Sequence, residues 1–100
     1  MAYESAMTAL ADPMRRRIVE ALARGPSPVS ALARTLPISQ PAVSQHLKVL
    51  REARLVRAEP RGASNLYRLD QAGFRDLLEW LDGLWATALD AGAGTSSGTP

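Results

Sequence analysis

Between Ser39 and Ala53, short hydroxyls, carboxamides and one ammonium share a helical period with a row of aliphatic side chains. At about 100° per residue, Val43, Leu47 and Leu50 fall in one narrow sector. Pro41, Ser44, Gln45 and Lys48 fall opposite, with Gln40 flanking them near the start. No carboxylate interrupts that polar sector until Glu52. Such a face can read base edges: a Gln carboxamide bonds adenine bidentately, Ser donates or accepts, and a small apolar group such as Ala42 meets a thymine methyl. Ser39 is an N-cap, and the helix N-terminus behind it offers N–H groups and a positive dipole end to phosphate. Ordinary solvent-facing helices carry Glu and Lys where this one carries Gln and Ser, so the residue types favour duplex DNA. His46, on the edge of the apolar sector, is open to three readings: a metal ligand, a phosphate contact or a packed helix residue.

A second basic group lies downstream. Arg57, Arg61 and Arg68 surround a turn at Pro60-Arg61-Gly62-Ala63-Ser64, with Asn65 beside it. Arg61, Ser64, Asn65 and Arg68 are groups that hold phosphates and enter a minor groove, positioning a protein without reading much sequence. Residues 13–70 carry 11 Arg or Lys against 4 Asp or Glu, although the whole chain has a net charge of only +2. A basic middle between acidic ends points to a polyanion partner for the middle alone. The run Arg15-Arg16-Arg17 opens a helix, where cations oppose the dipole; a functional role and a plain solvated face both remain open for it. Asp76, Glu79 and Asp82 read as a solvated acidic face.

Other chemistry is limited by what the chain lacks. With no cysteine and a single histidine, neither disulfides nor a metal site of three or four N/S ligands can be assembled. No nucleophile–base pair or phosphate loop is present, so the chain is not expected to be an enzyme, and no cofactor is implied. No apolar run approaches the roughly 20 residues of a membrane span. Met1 to Asp12 does not read as a signal peptide, so a cytoplasmic protein is expected.

These groups must be carried by short elements. One hundred residues, 46% apolar but only 5% aromatic, make one domain with a small aliphatic core. The patterning predicts a helix over Ala2–Ala11, with Ala6, Leu10 and Tyr3 on one face. A second over Pro13–Arg24 is capped by Asp12 and stopped at Gly25, and a third over Val29–Leu36 starts at Ser27-Pro28. A turn at Pro37-Ile38 leads to the helix Ser39–Ala53. Strands over Leu55–Glu59 and Asn65–Leu69, with Tyr67 and Leu69 inward, make a hairpin. Asp70 caps a last helix, Gln71–Leu89. The fold class is mostly α with a small β-hairpin wing, in the order α, α, α, α, β, β, α, and residues 1–90 form the domain. The Gly/Ser/Thr tail over 91–100 is expected to be disordered. Phe74, Leu77, Leu78, Leu81, Leu84 and Trp85 give the last helix a wider apolar stripe than one face of so small a domain needs, with Trp80 further out. Such a stripe predicts a homodimer interface.

The stretch Ser39-Gln40-Pro41-Ala42-Val43-Ser44-Gln45-His46-Leu47-Lys48-Val49-Leu50, followed by Arg51-Glu52-Ala53 and Leu55-Val56, strongly resembles the helix-turn-helix of the ArsR/SmtB family of bacterial repressors. Leu10-Ala11-Asp12-Pro13-Met14-Arg15-Arg16-Arg17-Ile18 looks like that family's approach to its second helix, and Gly62 with Tyr67-Arg68-Leu69 is similar to its wing. The resemblance covers about residues 8–86. It implies a winged helix-turn-helix, a dimer built from the first and last helices, and repression by occupying a promoter. It also places His46 at the protein–DNA boundary. Two departures stand out. The family often has Gly after the recognition helix, where this chain has Arg54. Metal-sensing members carry Cys on the helix that here reads Val29–Leu36, or paired His and acids on the last helix; this chain matches neither pattern. The expectation is therefore a sequence-specific, homodimeric repressor of double-stranded DNA without metal sensing and with no legible effector. The alternative is a winged-helix module that binds protein.

Overall fold

Asp12 makes the first joint of the chain, and in the computed structural model, which describes residues 2–92, it does so as an N-cap. Helix α1 runs over Ala2–Leu10 and α2 over Pro13–Ala23. The Asp12 carboxylate accepts from Met14 N at 2.8 Å and Arg15 N at 3.2 Å, and Pro13 occupies the first turn, where its missing N–H costs nothing. The basic run then has a local purpose. Arg15 Nε donates to Ala9 O at 2.6 Å, and one Arg16 Nη donates to Leu10 O at 2.8 Å and Ala11 O at 3.1 Å. Two cations that oppose the dipole of α2 thus satisfy the carbonyls left open at the end of α1. Arg17 is exposed and has no ion pair among the described residues.

Ser27-Pro28, expected to open the third helix, instead forms a two-residue strand, β1. It pairs antiparallel with a later strand, β3 (Ser64–Leu69), in the register Ser27↔Tyr67 and Pro28↔Leu66. The expected two-stranded hairpin is corrected to a three-stranded antiparallel sheet of order β1-β3-β2, with β2 at Val56–Arg61. The dihedrals of Pro28 suit a strand edge as well as a helix start, and two residues carry no periodicity. Pro28 still precedes α3, which spans Val29–Thr35. That helix stops before Leu36, which is extended (φ −114°, ψ 147°) ahead of Pro37.

Ser39 caps α4, Gln40–Glu52, with its hydroxyl 3.3 Å from Ala42 N. Val43, Leu47 and Leu50 are its buried face. The helix ends with Arg54 at φ 61°, the left-handed position where the family often places Gly. Strands β2 and β3 pair to the tip, where Gly62-Ala63 turns the chain, and Pro60 and Arg61 pair with Asn65 and Ser64. They run further than predicted because β2 is an edge strand, which tolerates a proline.

Asp70 caps α5, Gln71–Asp90, by accepting from Ala72 N at 3.0 Å. Its first turn lies hard against the end of α4: Gly73 N donates to Arg54 O at 2.7 Å, and a Cβ on Gly73 would stand 2.5 Å from Ala53 O. The core joins Ile18 and Leu22 of α2, Leu32 of α3, the buried face of α4, Leu55 and Val56. Helix α1 contributes the small side chains Ala6 and Ala9, which let it lie close. Trp80, which the pattern puts further out than the stripe, stacks on Tyr3 of α1 with ring centroids 4.9 Å apart and planes 5° from parallel. Among the described residues no helix is long and apolar enough to cross a membrane. The tail expected to be disordered lies, from residue 93 onward, outside the described residues.

Candidate nucleic-acid interface

Four elements hold α4 by its apolar side: α1 supplies Ala6 and Ala9, α2 and α3 supply Ile18, Leu22 and Leu32, and β2 supplies Val56. The opposite side is left to solvent. Gln40, Pro41, Ser44, Gln45 and Lys48 are exposed, and Ala42 is half-buried behind the cap. All four residues predicted to touch bases therefore lie within the first two turns of one helix. In the first turn Pro41 has no N–H, and the Ala42 N–H is taken by Ser39. The Gln40 N–H has no hydrogen-bond partner among the described residues and can meet a phosphate. His46 is half-buried, close enough to Asp12 for its charge to act there. Asp12's carboxyl is held below the usual carboxylate value. The Arg15 N–H is the largest cause, partial burial opposes it, and the Met14 N–H and the charges of Arg15 and His46 add to the lowering.

The wing divides its predicted residues. Arg61, Ser64 and Asn65 gather at the exposed tip, with the Ser64 hydroxyl donating to Arg61 O at 3.4 Å. Arg68 lies lower, directly opposite Arg57 in the register, and is already engaged: its Nε donates to Glu59 Oε1 at 3.0 Å. Arg57 approaches the other carboxylate oxygen at 3.8 Å. Glu59 was not singled out from the sequence, although Arg57-x-Glu59-x-Arg61 at period two already put three charges on one strand face.

The predicted dimer stripe also divides. Phe74 and Leu77 pack partly against the domain's own core. Leu78, Leu81, Leu84 and Trp85 are exposed at 62%, 46%, 56% and 55%. Met7 of α1 and Leu89 are also exposed apolar side chains, and neither was predicted. Among the described residues no three His, Cys, Asp or Glu side chains are grouped to hold a metal ion.

Comparison with known proteins gives consistent matches. The sequence profile of "Bacterial regulatory protein, arsR family" matches residues 12–58, which run from the cap of α2 into β2. The HTH-type transcriptional regulator Rv2034 of Mycobacterium tuberculosis is 55% identical over 86 residues, covering 86% of this chain and 80% of that protein. The transcriptional repressor SdpR of Bacillus subtilis is 30% identical over 73 residues, covering 73% of this chain and 81% of SdpR. An ArsR-like transcriptional regulator from Rhodococcus sp. RHA1 superposes with a TM-score of 0.83 at 28% identity, covering 98% of this chain and 92% of that one.

Proposed function

Because the chain belongs to the arsR family of bacterial regulatory proteins, which are transcriptional regulators and not enzymes, we propose that it is a homodimeric repressor that occupies an inverted-repeat operator. One observation carries the reading: α4 is locked by Val43, Leu47 and Leu50 while it presents Gln40, Ser44, Gln45 and Lys48 to solvent with no carboxylate among them. A rigid helix with that outer chemistry fits a major groove, where Gln40, Ala42, Ser44 and Gln45 meet base edges. Ser39, His46 and Lys48 flank them against the backbone, and Arg61, Ser64 and Asn65 bring the tip of the wing to the adjacent phosphates, with Arg68 behind them paired to Glu59. The exposed face of α5, from Leu78 to Trp85, supports pairing with a second copy. A two-fold dimer sets the two recognition helices on half-sites about 34 Å apart. Bound there, it excludes the transcription machinery from a promoter.

Selection of binding sites from random duplex DNA tests this. An enriched inverted repeat is expected. Within it, Gln45→Ala should cost about 1–3 kcal/mol and relax preference at particular positions. Lys48→Ala should weaken binding to all sequences alike and reduce the salt slope by about one unit per protomer. No enriched repeat, together with a Gln45→Ala variant that behaves like Lys48→Ala, would overturn the assignment and favour a protein-binding module.

A further inference from the structure

The outer face of the wing carries an acid among its cations. In the antiparallel register Arg57 stands opposite Arg68, and Glu59 follows Arg57 on the same face. One carboxylate oxygen of Glu59 takes the Arg68 Nε at 3.0 Å, and the other faces an Arg57 Nη at 3.8 Å. Arg61, at the tip, has no ion pair among the described residues. Three arginines thus point outward from the wing, and one carboxylate claims two of them.

We propose that Glu59 is an affinity-limiting residue of the wing, which holds Arg57 and Arg68 away from DNA phosphate and leaves Arg61 as its one unopposed cation. The proposal rests on the reading that the wing lies against DNA. The physical argument has two parts. An exposed ion pair is weak, so phosphate can compete for either guanidinium. Each arginine that turns to phosphate, however, leaves the Glu59 carboxylate unpaired beside a polyanion, where like charges repel. Both effects act on the backbone contribution to binding, which is independent of sequence. Glu59 therefore lowers affinity for operator and for unrelated DNA by a similar factor. It keeps a basic protein from being held on random DNA, while the base contacts of α4 are untouched.

The test compares full-length wild type, Glu59→Gln, Glu59→Ala and Arg61→Ala on the selected operator and on a scrambled duplex across a salt series. Glu59→Gln removes the charge and keeps an oxygen that can accept from Arg68; Glu59→Ala removes the tether as well. Both should bind both duplexes several-fold more tightly at about 0.1 M salt. The salt slope should steepen by about one unit per protomer for each arginine that reaches phosphate. The ratio of operator to scrambled affinity should stay close to that of wild type. Arg61→Ala should flatten the slope by about one unit per protomer. Glu59 variants that bind more weakly would show that Glu59 orients Arg68 for phosphate, and would overturn the proposal. Unchanged slopes in the Glu59 variants beside a flattened slope in Arg61→Ala would overturn it alone. An unchanged slope in Arg61→Ala as well would mean that the wing does not touch DNA, and both readings would fall.

Discussion

Replacing Arg54 by glycine should make the protein more stable. Arg54 follows the C-cap residue Ala53 and has φ 61°. Two hydrogen bonds of a Schellman turn enclose it: Leu55 N donates to Leu50 O at 3.0 Å and Arg54 N to Arg51 O at 3.0 Å. Leu50 and Leu55 are fully buried in the same core cluster, so the chain cannot relax out of the left-handed conformation without breaking both bonds and moving the core. For a residue with a Cβ that conformation costs about 1–2 kcal/mol. Glycine removes the cost but adds about 0.4–1 kcal/mol of chain entropy to the unfolded state. The net gain is about 0.5–1 kcal/mol, which raises the melting temperature of a domain this size by about 2–8 °C. The Arg54 side chain is exposed, with no hydrogen bond or ion pair among the described residues, so truncating it removes no partner. The bond from Gly73 N to Arg54 O is made by backbone and survives the change. Arg54→Ala is the control, because it removes the side chain and keeps the strain; it should melt close to wild type. Thermal unfolding followed by circular dichroism, at one protomer concentration because self-association shifts melting, measures both. Arg54→Gly melting below Arg54→Ala would refute the strain argument.

Gly73→Ala should destabilise by about 1–3 kcal/mol, since the new Cβ meets Ala53 O at 2.5 Å and Arg54 O at 2.7 Å, both backbone atoms; a denaturant midpoint equal to wild type would contradict it. Arg15→Ala should cost about 1–3 kcal/mol, because it strips the partner from Ala9 O, whereas Arg16→Ala, on an exposed side chain, should cost less; equal costs in chemical denaturation would count against the capping role. The lowered Asp12 value predicts an acid-sensitive cap: its contribution is present above the unfolded carboxylate value and is lost as pH falls through the lower folded one. Asp12→Asn should therefore show a shallower loss of stability on the acid side than wild type, and parallel stability–pH curves would exclude the effect. Leu81→Glu places a charge in the middle of the exposed α5 face; sedimentation at micromolar concentration should show wild type as a dimer and the variant as a monomer, and a wild-type monomer would end the dimer reading.

Much of the frame was legible because its determinants are local. Asp12, Ser39 and Asp70 each cap the helix that follows them with their own side chains. A cap and its target N–H lie two or three residues apart, so spacing along the chain is enough to find them. The polarity of α4 follows from the same local geometry: a 3.6-residue period places Val43, Leu47 and Leu50 together whatever they pack against. The family resemblance marked the position of Arg54 as a departure but left its conformation open, since nothing in an arginine advertises the left-handed region it adopts.

What the sequence determined by itself was the set of helices, the starts marked by Asp12, Ser39 and Asp70, and which face of α4 would meet water. The tertiary structure decided which distant groups meet. Ser27-Pro28 became a strand because β3 passes beside it. Gly73 has no room for a Cβ because α5 lands on the backbone of residues 53 and 54. Arg15 and Arg16 turned from an unfavourable helix start into caps for α1 because the bend at Asp12 carries those carbonyls within reach. Arg68, nine residues from Glu59, met it only through the hairpin register. Periodicity and capping report a residue's relation to neighbours within one or two turns, whereas these contacts depend on where whole elements cross, which is set by burying the core.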